Sequence, residues 1–219
     1  MNVHQIFIDM GKGTLDTIKR FNESHTSIKL YCKNNNINYK LWSYDDICVF
    51  FKTTKYNKFF HQLREPIQKV DFAKYVILYK TGGIYLDLDV TIINGKTINH
   101  LFNINPLIVR WDNSKLPYNA VLGCRDECPI FLDIINQSIH DYNEKVTNPT
   151  YKSWIGRFVF QTTGHFMLLR ALKKNGITEF ENILLIKHKG RSYYGDNPIF
   201  LDTNESIWYN PKRINLKNN

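Results

Sequence analysis

The sequence predicts an α/β protein with a mostly parallel central sheet. Three observations lead to this fold class: short apolar runs alternate with longer helical stretches, Gly and Pro separate them, and 219 residues suffice for one sizeable core. We expect strands at residues 3–8, 38–42, 84–86, 90–93, 107–110, 119–122 and 183–186, and helices near 13–23, 66–80, 129–142 and 164–175. A single domain would span residues 1–210, followed by a basic, frayed tail over 211–219.

Local signals mark the ends of several elements in the first half of the chain. Ser43 follows the second strand and suits the cap of a helix, because its hydroxyl can accept a backbone hydrogen bond. Pro66 suits the first position of the next helix, which is apolar nearly all round and is therefore expected to be buried. Gly82 and Gly83 then allow a tight turn into the strand that follows.

The second half of the chain has weaker boundaries. Asn, Gly and Pro residues mark loops around residues 94–100, 112–118 and 145–150. The apolar run over residues 183–186 predicts a buried strand. His188 follows at the end of that strand, within a small basic cluster.

Residues 81–91 carry the strongest chemical signal. Asp87 and Asp89 follow a short apolar strand and are separated by one residue. Because strand side chains alternate between faces, both carboxylates should project to one side while Leu88 points to the other. Two carboxylates on one side make a hard-oxygen site for Mg²⁺ or Mn²⁺, ions that also take ligands from substrate phosphates.

The helix before this strand carries two charged residues on its apolar side. Asp71 and Lys74 are three residues apart and share a face with apolar neighbours. Charged groups there are unfavourable unless they are paired or bound to a ligand. The pair either locks the helix as an ion pair or faces a ligand beside Asp87 and Asp89, and the two interpretations are compatible.

Residues 70–90 resemble the signature of the Asp-x-Asp sugar transferases of glycosyltransferase family 32. They are similar to the yeast-type initiating mannosyltransferases and, more distantly, to the glucosylating clostridial toxins. The family pattern is Asp-x-x-Arg-Tyr, an apolar run and Gly-Gly-x-Tyr-x-Asp-x-Asp. Here Lys74 stands at the position of the arginine, which keeps the charge but loses the bidentate fork. Weaker similarities lie at residues 118–123 and 162–165, where His165 replaces the usual proline.

The resemblance implies the nucleotide-sugar transferase fold called GT-A and a role for each site residue. Asp87 and Asp89 would be the catalytic pair. Asp89 would bind Mn²⁺ (or Mg²⁺) directly, Asp87 would hold the donor ribose or sugar and reach the metal through water, and His188 would complete the metal shell. Asp71 and Lys74 would contact hydroxyl groups of the donor sugar.

Two further segments are predicted to bind the nucleotide. Residues 3–8 resemble the opening strand of the family, where an aromatic side chain lies near the base. Phe7 and its neighbour Ile8 would take that place, and burial of Phe7 in the core is the competing interpretation. Lys189 and Arg191 could face the diphosphate, since cations stabilise the charge that develops there.

The reaction that follows from these assignments is metal-assisted glycosyl transfer. The donor would be UDP- or GDP-linked, and the acceptor a glycan, a protein or another molecule. The resemblance implies retention of anomeric configuration, and because the sequence shows no obvious nucleophile, front-face attack is the simpler route. One alternative is a phosphatase of the haloacid-dehalogenase type, with Asp87 as nucleophile and Asp89 as general acid/base. Another is a basic binding module with a degenerate site.

The composition of the chain limits which partners it could bind and where in the cell it is expected. The net charge of +9 is compatible with nucleic acid, an anionic membrane surface or an anionic donor. No nucleic-acid-binding signature is present, so no nucleic-acid partner is expected. Cys124 and Cys128 lack a second ligand pair for zinc, and no apolar stretch reaches the length of a membrane span. With no secretory signal recognised, we expect reduced thiols and a cytoplasmic or soluble intracellular location.

Overall fold

The computed structural model of the chain describes residues 1–11, 13–92, 107–111, 116–152, 154–177, 186–188 and 200–202. For Lys152 and for residues 107–111, 186–188 and 200–202 it describes the backbone only. The strands are β1 (Asn2–Ile6), β2 (Asn38–Trp42), β3 (Gly83–Leu86), β4 (Val90–Ile92), β5 (Leu107–Trp111), β6 (Pro117–Cys124), β7 (Ile186–His188) and β8 (Phe200–Asp202). The helices are α1 (Lys19–Asn34), α2 (Tyr44–Lys52), α3 (Asn57–Gln62), α4 (Pro66–Thr81), α5 (Pro129–Lys145), α6 (Pro149–Lys152), α7 (Ile155–Thr162) and α8 (His165–Lys174).

The main sheet has five strands in the order β2-β1-β3-β6-β5. Strand β1 pairs in parallel with β2 and β3, whereas β6 is antiparallel to both β3 and β5. Four strands therefore run in one direction and β6 alone runs in the other, which confirms the predicted mostly parallel sheet. Since ligands of such sheets bind beyond the carboxyl ends of the parallel strands, the ends of β1 and β3 define the edge of interest.

A smaller sheet has the strand order β4-β8-β7. Its backbone register aligns Val90 with Asp202, and Asp202 with His188. Neighbouring strands lie about 5 Å apart, so the His188 backbone is roughly 10 Å from that of Val90. The small sheet thus brings the carboxyl end of β7 toward the segment that carries Asp89.

Helix α4 lies at the centre of the larger hydrophobic core. Pro66 occupies its first turn, and Glu65 and Gln68 close its start with reciprocal hydrogen bonds. Most of its remaining side chains are buried on every side, among them Phe72, Ala73, Tyr75, Val76, Ile77 and Leu78. The predicted buried helix is confirmed, with its end at Thr81.

The glycine pair after α4 sets the position of β3. Gly82 and Gly83 have φ angles of 59° and 106°, values that L residues with a side chain rarely adopt. A Cβ atom on Gly83 would also collide with the backbone oxygen of Asn2. The pair therefore lets α4 end and β3 begin in direct contact with β1.

The first helix and several shorter helices differ from the prediction. Helix α1 spans Lys19–Asn34 rather than residues 13–23, because the chain before it is turned at Gly11 and Gly13, where φ is positive. Its buried residues, Phe21, Ser24, Ile28 and Cys32, follow a helical spacing. Helices α3 and α7 were not predicted, whereas Ser43 does cap α2 and accepts a hydrogen bond from the Asp46 backbone N–H.

Candidate active site at the carboxyl end of strand β3

Asp87 is the first residue beyond β3. Its backbone N–H donates to Ala120 O on β6 at 2.8 Å, and its carbonyl accepts from Val90 N–H at 3.0 Å. Residues 87–89 therefore form a turn between β3, which ends at Leu86, and β4. Leu88 is buried, while Asp87 and Asp89 are partly exposed.

Lys74 reaches from helix α4 into this turn. Its ammonium nitrogen lies 3.1 Å from Asp71 Oδ1 and 3.3 Å from Asp87 Oδ1. It also donates to the backbone carbonyl of Asn119 at 3.1 Å. The Lys74 side chain is 1% exposed, so this cation holds two carboxylates from inside the protein.

Asp71 has hydrogen-bond partners on both carboxylate oxygens. Asn119 Nδ2 donates to Oδ1 at 2.8 Å, and Thr163 Oγ1 donates to Oδ2 at 3.0 Å. Tyr75 belongs to the same network, since its hydroxyl donates to Thr163 O at 2.7 Å and accepts from Asn119 Nδ2 at 3.1 Å. Helix α4, strand β6 and the link between α7 and α8 therefore meet at the buried carboxylate of Asp71.

Tyr85 supplies a second hydrogen bond to Asp87. Its hydroxyl donates to Asp87 Oδ1 at 2.8 Å, and Lys74 Nζ lies 4.8 Å from the centre of its ring. Burial raises the pKa of Tyr85 well above its ordinary value, and the Asp87 carboxylate adds to that shift. Tyr85 therefore stays protonated and serves as a hydrogen-bond donor.

The charges of Lys74, Asp71 and Asp87 stabilise one another. Burial alone would lower the pKa of Lys74, but the carboxylates of Asp87 and Asp71 outweigh it and hold that pKa above its ordinary value. Burial raises the pKa of Asp71, and the Lys74 ammonium opposes that shift. Lys74 is therefore a permanent cation, placed to offset the negative charge of the acidic turn.

Strand β1 contributes a buried amide to the same turn. Gln5 is fully buried, and its Nε2 lies 3.4 Å from Asp87 O. Its Oε1 accepts from the Tyr39 hydroxyl at 2.8 Å, and that hydroxyl lies 2.6 Å from His25 Nδ1. Since the tyrosine proton goes to Gln5, His25 must donate to the tyrosine oxygen from Nδ1.

The structure brings together most of the predicted site residues that it describes. Asp71, Lys74 and Asp87 form one network, with Asp89 two residues further on. Phe7 and Ile8 follow β1 directly and are half-buried at the same edge of the sheet. Ile8 packs against the core, and the Phe7 backbone N–H donates to Trp42 O at 3.0 Å. The His188 backbone lies at the end of β7, and Lys189 and Arg191 lie outside the described residues.

Sequence reasoning assigned no role to Asn119, Thr163, Tyr85 or Gln5. Asn119 and Thr163 lay in segments with weak similarity to the family, but their contacts with Asp71 span 48 and 92 residues of chain. Gln5 was a detectable signal, since a polar residue in a short apolar strand must find partners when it is buried. Tyr85 belonged to the recognised motif.

The residues of the turn fit a hard divalent cation. Asp87 is 32% exposed, and both side-chain contacts described for it, from Lys74 and Tyr85, use Oδ1. Its outer edge and the half-buried Asp89 therefore offer carboxylate oxygens at the surface. Such oxygens are the ligands that Mg²⁺ and Mn²⁺ take in proteins.

A second group of potential ligands lies on helix α5, where single ligand atoms of His140, Asp141 and Glu144 lie within 4.8 Å of one another. Asp141 is already bonded to Arg170 Nη2 at 2.6 Å and to Lys145 Nζ at 3.1 Å. These two cations oppose the binding of a third, so the group is better explained as a salt-bridge network.

The fold is an α/β sheet whose edge carries an acidic turn held from a buried helix. Residues 15–108 match the family model described as glycosyltransferase sugar-binding region containing DXD motif. Over these residues the chain is similar to glycosyltransferases of the DXD type, which agrees with the resemblance seen in the sequence.

Relatives and solved structures agree with that match. An uncharacterized glycosyltransferase of Acanthamoeba polyphaga mimivirus is 28% identical over 156 residues, covering 68% of this chain and 59% of that protein. Inositol phosphoceramide mannosyltransferase 1 of Schizosaccharomyces pombe is 41% identical over 59 residues, 26% of this chain and 18% of that protein. The chain thus spans 59% of the first of these relatives and 18% of the second. The structure of the PaToxG glycosyltransferase has a TM-score of 0.51 at 16% identity, over 80% of this chain and 68% of that one, a likeness of fold.

Proposed function

We propose that this domain transfers a glycosyl group from a UDP- or GDP-linked sugar to a glycan, a protein or another acceptor, with Mn²⁺ or Mg²⁺ at Asp87 and Asp89. The observation that supports it most is the buried Lys74, which fixes Asp87 at the carboxyl edge of the sheet by a 3.3 Å contact. Ligands of α/β sheets bind at this edge.

In this proposal Asp89 and Asp87 hold the metal, and His188 completes its ligand set. A bound divalent cation would supply charge stabilisation to the departing diphosphate. The protein contributes a fixed geometry, because Lys74, Tyr85 and the backbone contacts of the turn restrict Asp87 before any donor arrives. Preorganised groups of this kind stabilise developing charge without reorganising during the reaction.

The donor sugar is proposed to meet Asp87 first, with Asp71 and Lys74 behind it. Asp87 is 32% exposed, whereas the side chains of Asp71 and Lys74 are 6% and 1% exposed. A sugar hydroxyl can reach the buried pair by replacing one bond of the network. Otherwise the pair acts on the sugar through the orientation of Asp87.

Retention of anomeric configuration is part of the proposal and rests on the family resemblance. Asp71 and Asp87 share the Lys74 ammonium, which weakens either carboxylate as a covalent nucleophile. Front-face departure and attack within an ion pair is therefore the proposed route. Lys189 and Arg191 are proposed to face the diphosphate, and Phe7 and Ile8 the nucleotide base.

The experiment that tests this function is a screen of nucleotide sugars for hydrolysis and transfer. We expect slow, Mn²⁺-dependent release of nucleoside diphosphate from one UDP- or GDP-sugar, which excess chelator abolishes. The same preparation is assayed on a simple phosphomonoester. Rapid phosphomonoester cleavage without nucleotide-sugar turnover would contradict the proposal and favour a phosphatase.

A further inference from the structure

Helix α1 and strand β1 hold the backbone of the acidic turn at two separate carbonyls. Ser24 Oγ on α1 donates to Val90 O, at the beginning of β4, in a buried hydrogen bond of 2.5 Å. Gln5 Nε2 on β1 lies 3.4 Å from Asp87 O, the first carbonyl of the turn. The two carbonyls lie on either side of Asp89 along the chain, so the backbone that carries this residue is held at both ends.

Ser24 is placed by the packing of α1. It is buried inside the helix and shares the buried face with Phe21 and Ile28. A serine within a helix commonly donates to the carbonyl four residues earlier in the same helix. The hydrogen bond of Ser24 to Val90 O instead spans 66 residues of chain. Because a buried hydroxyl needs a partner, this bond fixes α1 against the far end of the turn.

Gln5 is placed by the register of the main sheet. His4 on β1 pairs with Tyr85 on β3, so Gln5 stands level with the last residue of β3. Asp87 follows directly, and its carbonyl is therefore within reach of the Gln5 amide. Since this amide is fully buried, its partners on both sides determine its orientation.

A chain of hydrogen bonds orients the Gln5 amide. The Tyr39 hydroxyl donates to Gln5 Oε1 at 2.8 Å, which directs Nε2 toward the acidic turn. His25 Nδ1 lies 2.6 Å from the Tyr39 hydroxyl oxygen. Burial raises the pKa of Tyr39, so its hydroxyl stays protonated and remains a donor. Helix α1 thus acts on both ends of the turn, directly through Ser24 and indirectly through His25.

The backbone and the side chains of the turn are held by different groups. Ser24 and Gln5 donate to backbone carbonyls. Lys74 and Tyr85 instead donate to the side chain of Asp87, at Oδ1. A hydroxyl and an amide carry no net charge, so they fix the backbone without changing the charge that a metal ion would meet.

We propose that Ser24, Gln5 and Tyr39 are positioning residues for the divalent metal, and that they act by fixing the backbone of the acidic turn. The inference rests on the proposed function, because it takes this turn to be the metal site. Groups that orient metal ligands from behind change metal affinity by about 10–100-fold when they are removed. We therefore expect these three residues to set the affinity for Mn²⁺ without touching the ion.

Hydrogen exchange of the metal-free chain tests the structural half of the proposal. Ser24→Ala removes the donor to Val90 O, and Tyr39→Phe removes the group that orients Gln5. The backbone amides of residues 87–90 should exchange roughly tenfold faster in each variant, since one buried hydrogen bond contributes about that much to an opening equilibrium. If Ser24→Ala does not fold, Tyr39→Phe decides the question, because it leaves both donors of the turn in place.

Matched controls separate this effect from a general loss of stability. Ser27→Ala makes the same change on the exposed face of α1, and Tyr44→Phe removes the hydroxyl of a tyrosine that is 36% exposed. Both should exchange like the natural chain, and amides of α5 should exchange alike in all the proteins. Exchange at residues 87–90 that is equal in the variants and the controls would overturn the proposal.

A Mn²⁺ titration of nucleotide binding tests the functional half, with UDP and GDP as probes. The Mn²⁺ concentration at half-maximal binding should rise about tenfold or more in folded Ser24→Ala and Tyr39→Phe, and stay unchanged in the controls. Faster exchange with an unchanged Mn²⁺ midpoint would give these residues a purely structural role and overturn the inference alone. If the natural chain binds neither nucleotide in a Mn²⁺-dependent way, the proposed function fails and the positioning role fails with it.

Discussion

Lys74 Nζ lies 3.3 Å from Asp87 Oδ1, a contact that joins the buried helix α4 to the turn beyond β3. The ammonium has no access to solvent, so its charge is balanced by protein carboxylates rather than by water. The position of Asp87 is therefore coupled to the packing of the core. Changes at Lys74 should affect both stability and the geometry of the acidic turn.

Lys74→Met should lower the free energy of unfolding by roughly 3–5 kcal/mol, because it leaves two carboxylates without their buried cation. Urea denaturation at neutral pH measures the change. Lys80→Met on the exposed last turn of the same helix is the matched control, with an expected change within about 0.5 kcal/mol. A Lys74→Met loss no larger than that of the control would contradict the buried network.

Lys74→Arg keeps the charge and should retain most of the turnover, whereas folded Lys74→Met should lose turnover and donor affinity. The steady-state constants of both variants are compared at a temperature where circular dichroism shows each to be folded. Unchanged kinetics in Lys74→Met would leave Lys74 with a structural role only and remove it from the site.

Asn119→Asp should destabilise the fold more than Asn119→Ala does. Alanine removes the donor to Asp71 and Tyr75, a loss of about 1–3 kcal/mol. Aspartate also places a third carboxylate beside Asp71, and like charges oppose each other in a buried site. Denaturation curves at pH 7 and pH 5 give the free energy of unfolding of both variants. The difference between the two variants should be smaller at pH 5. Equal stability of the two variants at pH 7 would contradict this account of the network.

His4 should make folding sensitive to mild acid. Its Nδ1 accepts from Trp42 Nε1 at 3.3 Å, so its Nε2 carries the proton and donates to Gly82 O at 3.0 Å. Burial lowers the pKa of His4 below 6.5, so the unfolded chain binds this proton first. The contribution of His4 is present above pH 6.5 and is lost as pH falls through the lower, folded-state pKa.

His4→Gln should therefore be less stable than the natural chain at pH 7, with a shallower fall in stability between pH 7 and pH 5. Thermal melts over that range provide the measurement, and exposed His61→Gln serves as control. A parallel fall in the natural chain and His4→Gln would show that His4 does not titrate in this window.

Asp141→Asn should weaken the packing of α5 against α8 without removing metal dependence. Arg170 donates to Asp141 Oδ2 from Nε at 3.1 Å and also to Gln161 O, so the variant should lose roughly 1–3 kcal/mol. Mn²⁺ titration of nucleotide-sugar turnover should give the same midpoint as in the natural chain. A midpoint shifted to a higher Mn²⁺ concentration would instead assign the metal to the α5 group.

The sequence predicted the parts of the site that local pattern determines. Pro66, the apolar helix after it and the glycine pair identified α4 and its exit into β3. The spacing of Asp87 and Asp89 identified the acidic edge between the strands predicted at residues 84–86 and 90–93. The turn depends on the hydrogen bond from Asp87 N–H to Ala120 O, a contact that β6 supplies from outside the motif.

The partners of Asp71 could not be predicted in the same way. Asn119 and Thr163 reach it from β6 and from the segment between α7 and α8, and only the packed core brings those elements together. The same holds for Gln5, whose role depends on the register of β1 with β3. The sequence shows which residues are polar, and the tertiary structure determines which of them are buried and which of them meet.

Calorimetric binding of UDP and GDP, with Mn²⁺ or with excess chelator, tests the central claim that the acidic turn holds a metal for a nucleotide donor. The natural chain and the exposed-site control Asp45→Asn should bind one of the two nucleotides at least about tenfold more tightly with Mn²⁺, roughly 1.4 kcal/mol or more. Folded Asp89→Asn should bind equally weakly under both conditions. Binding by the natural chain that is indifferent to Mn²⁺, or full Mn²⁺-dependent binding by Asp89→Asn, would contradict the claim.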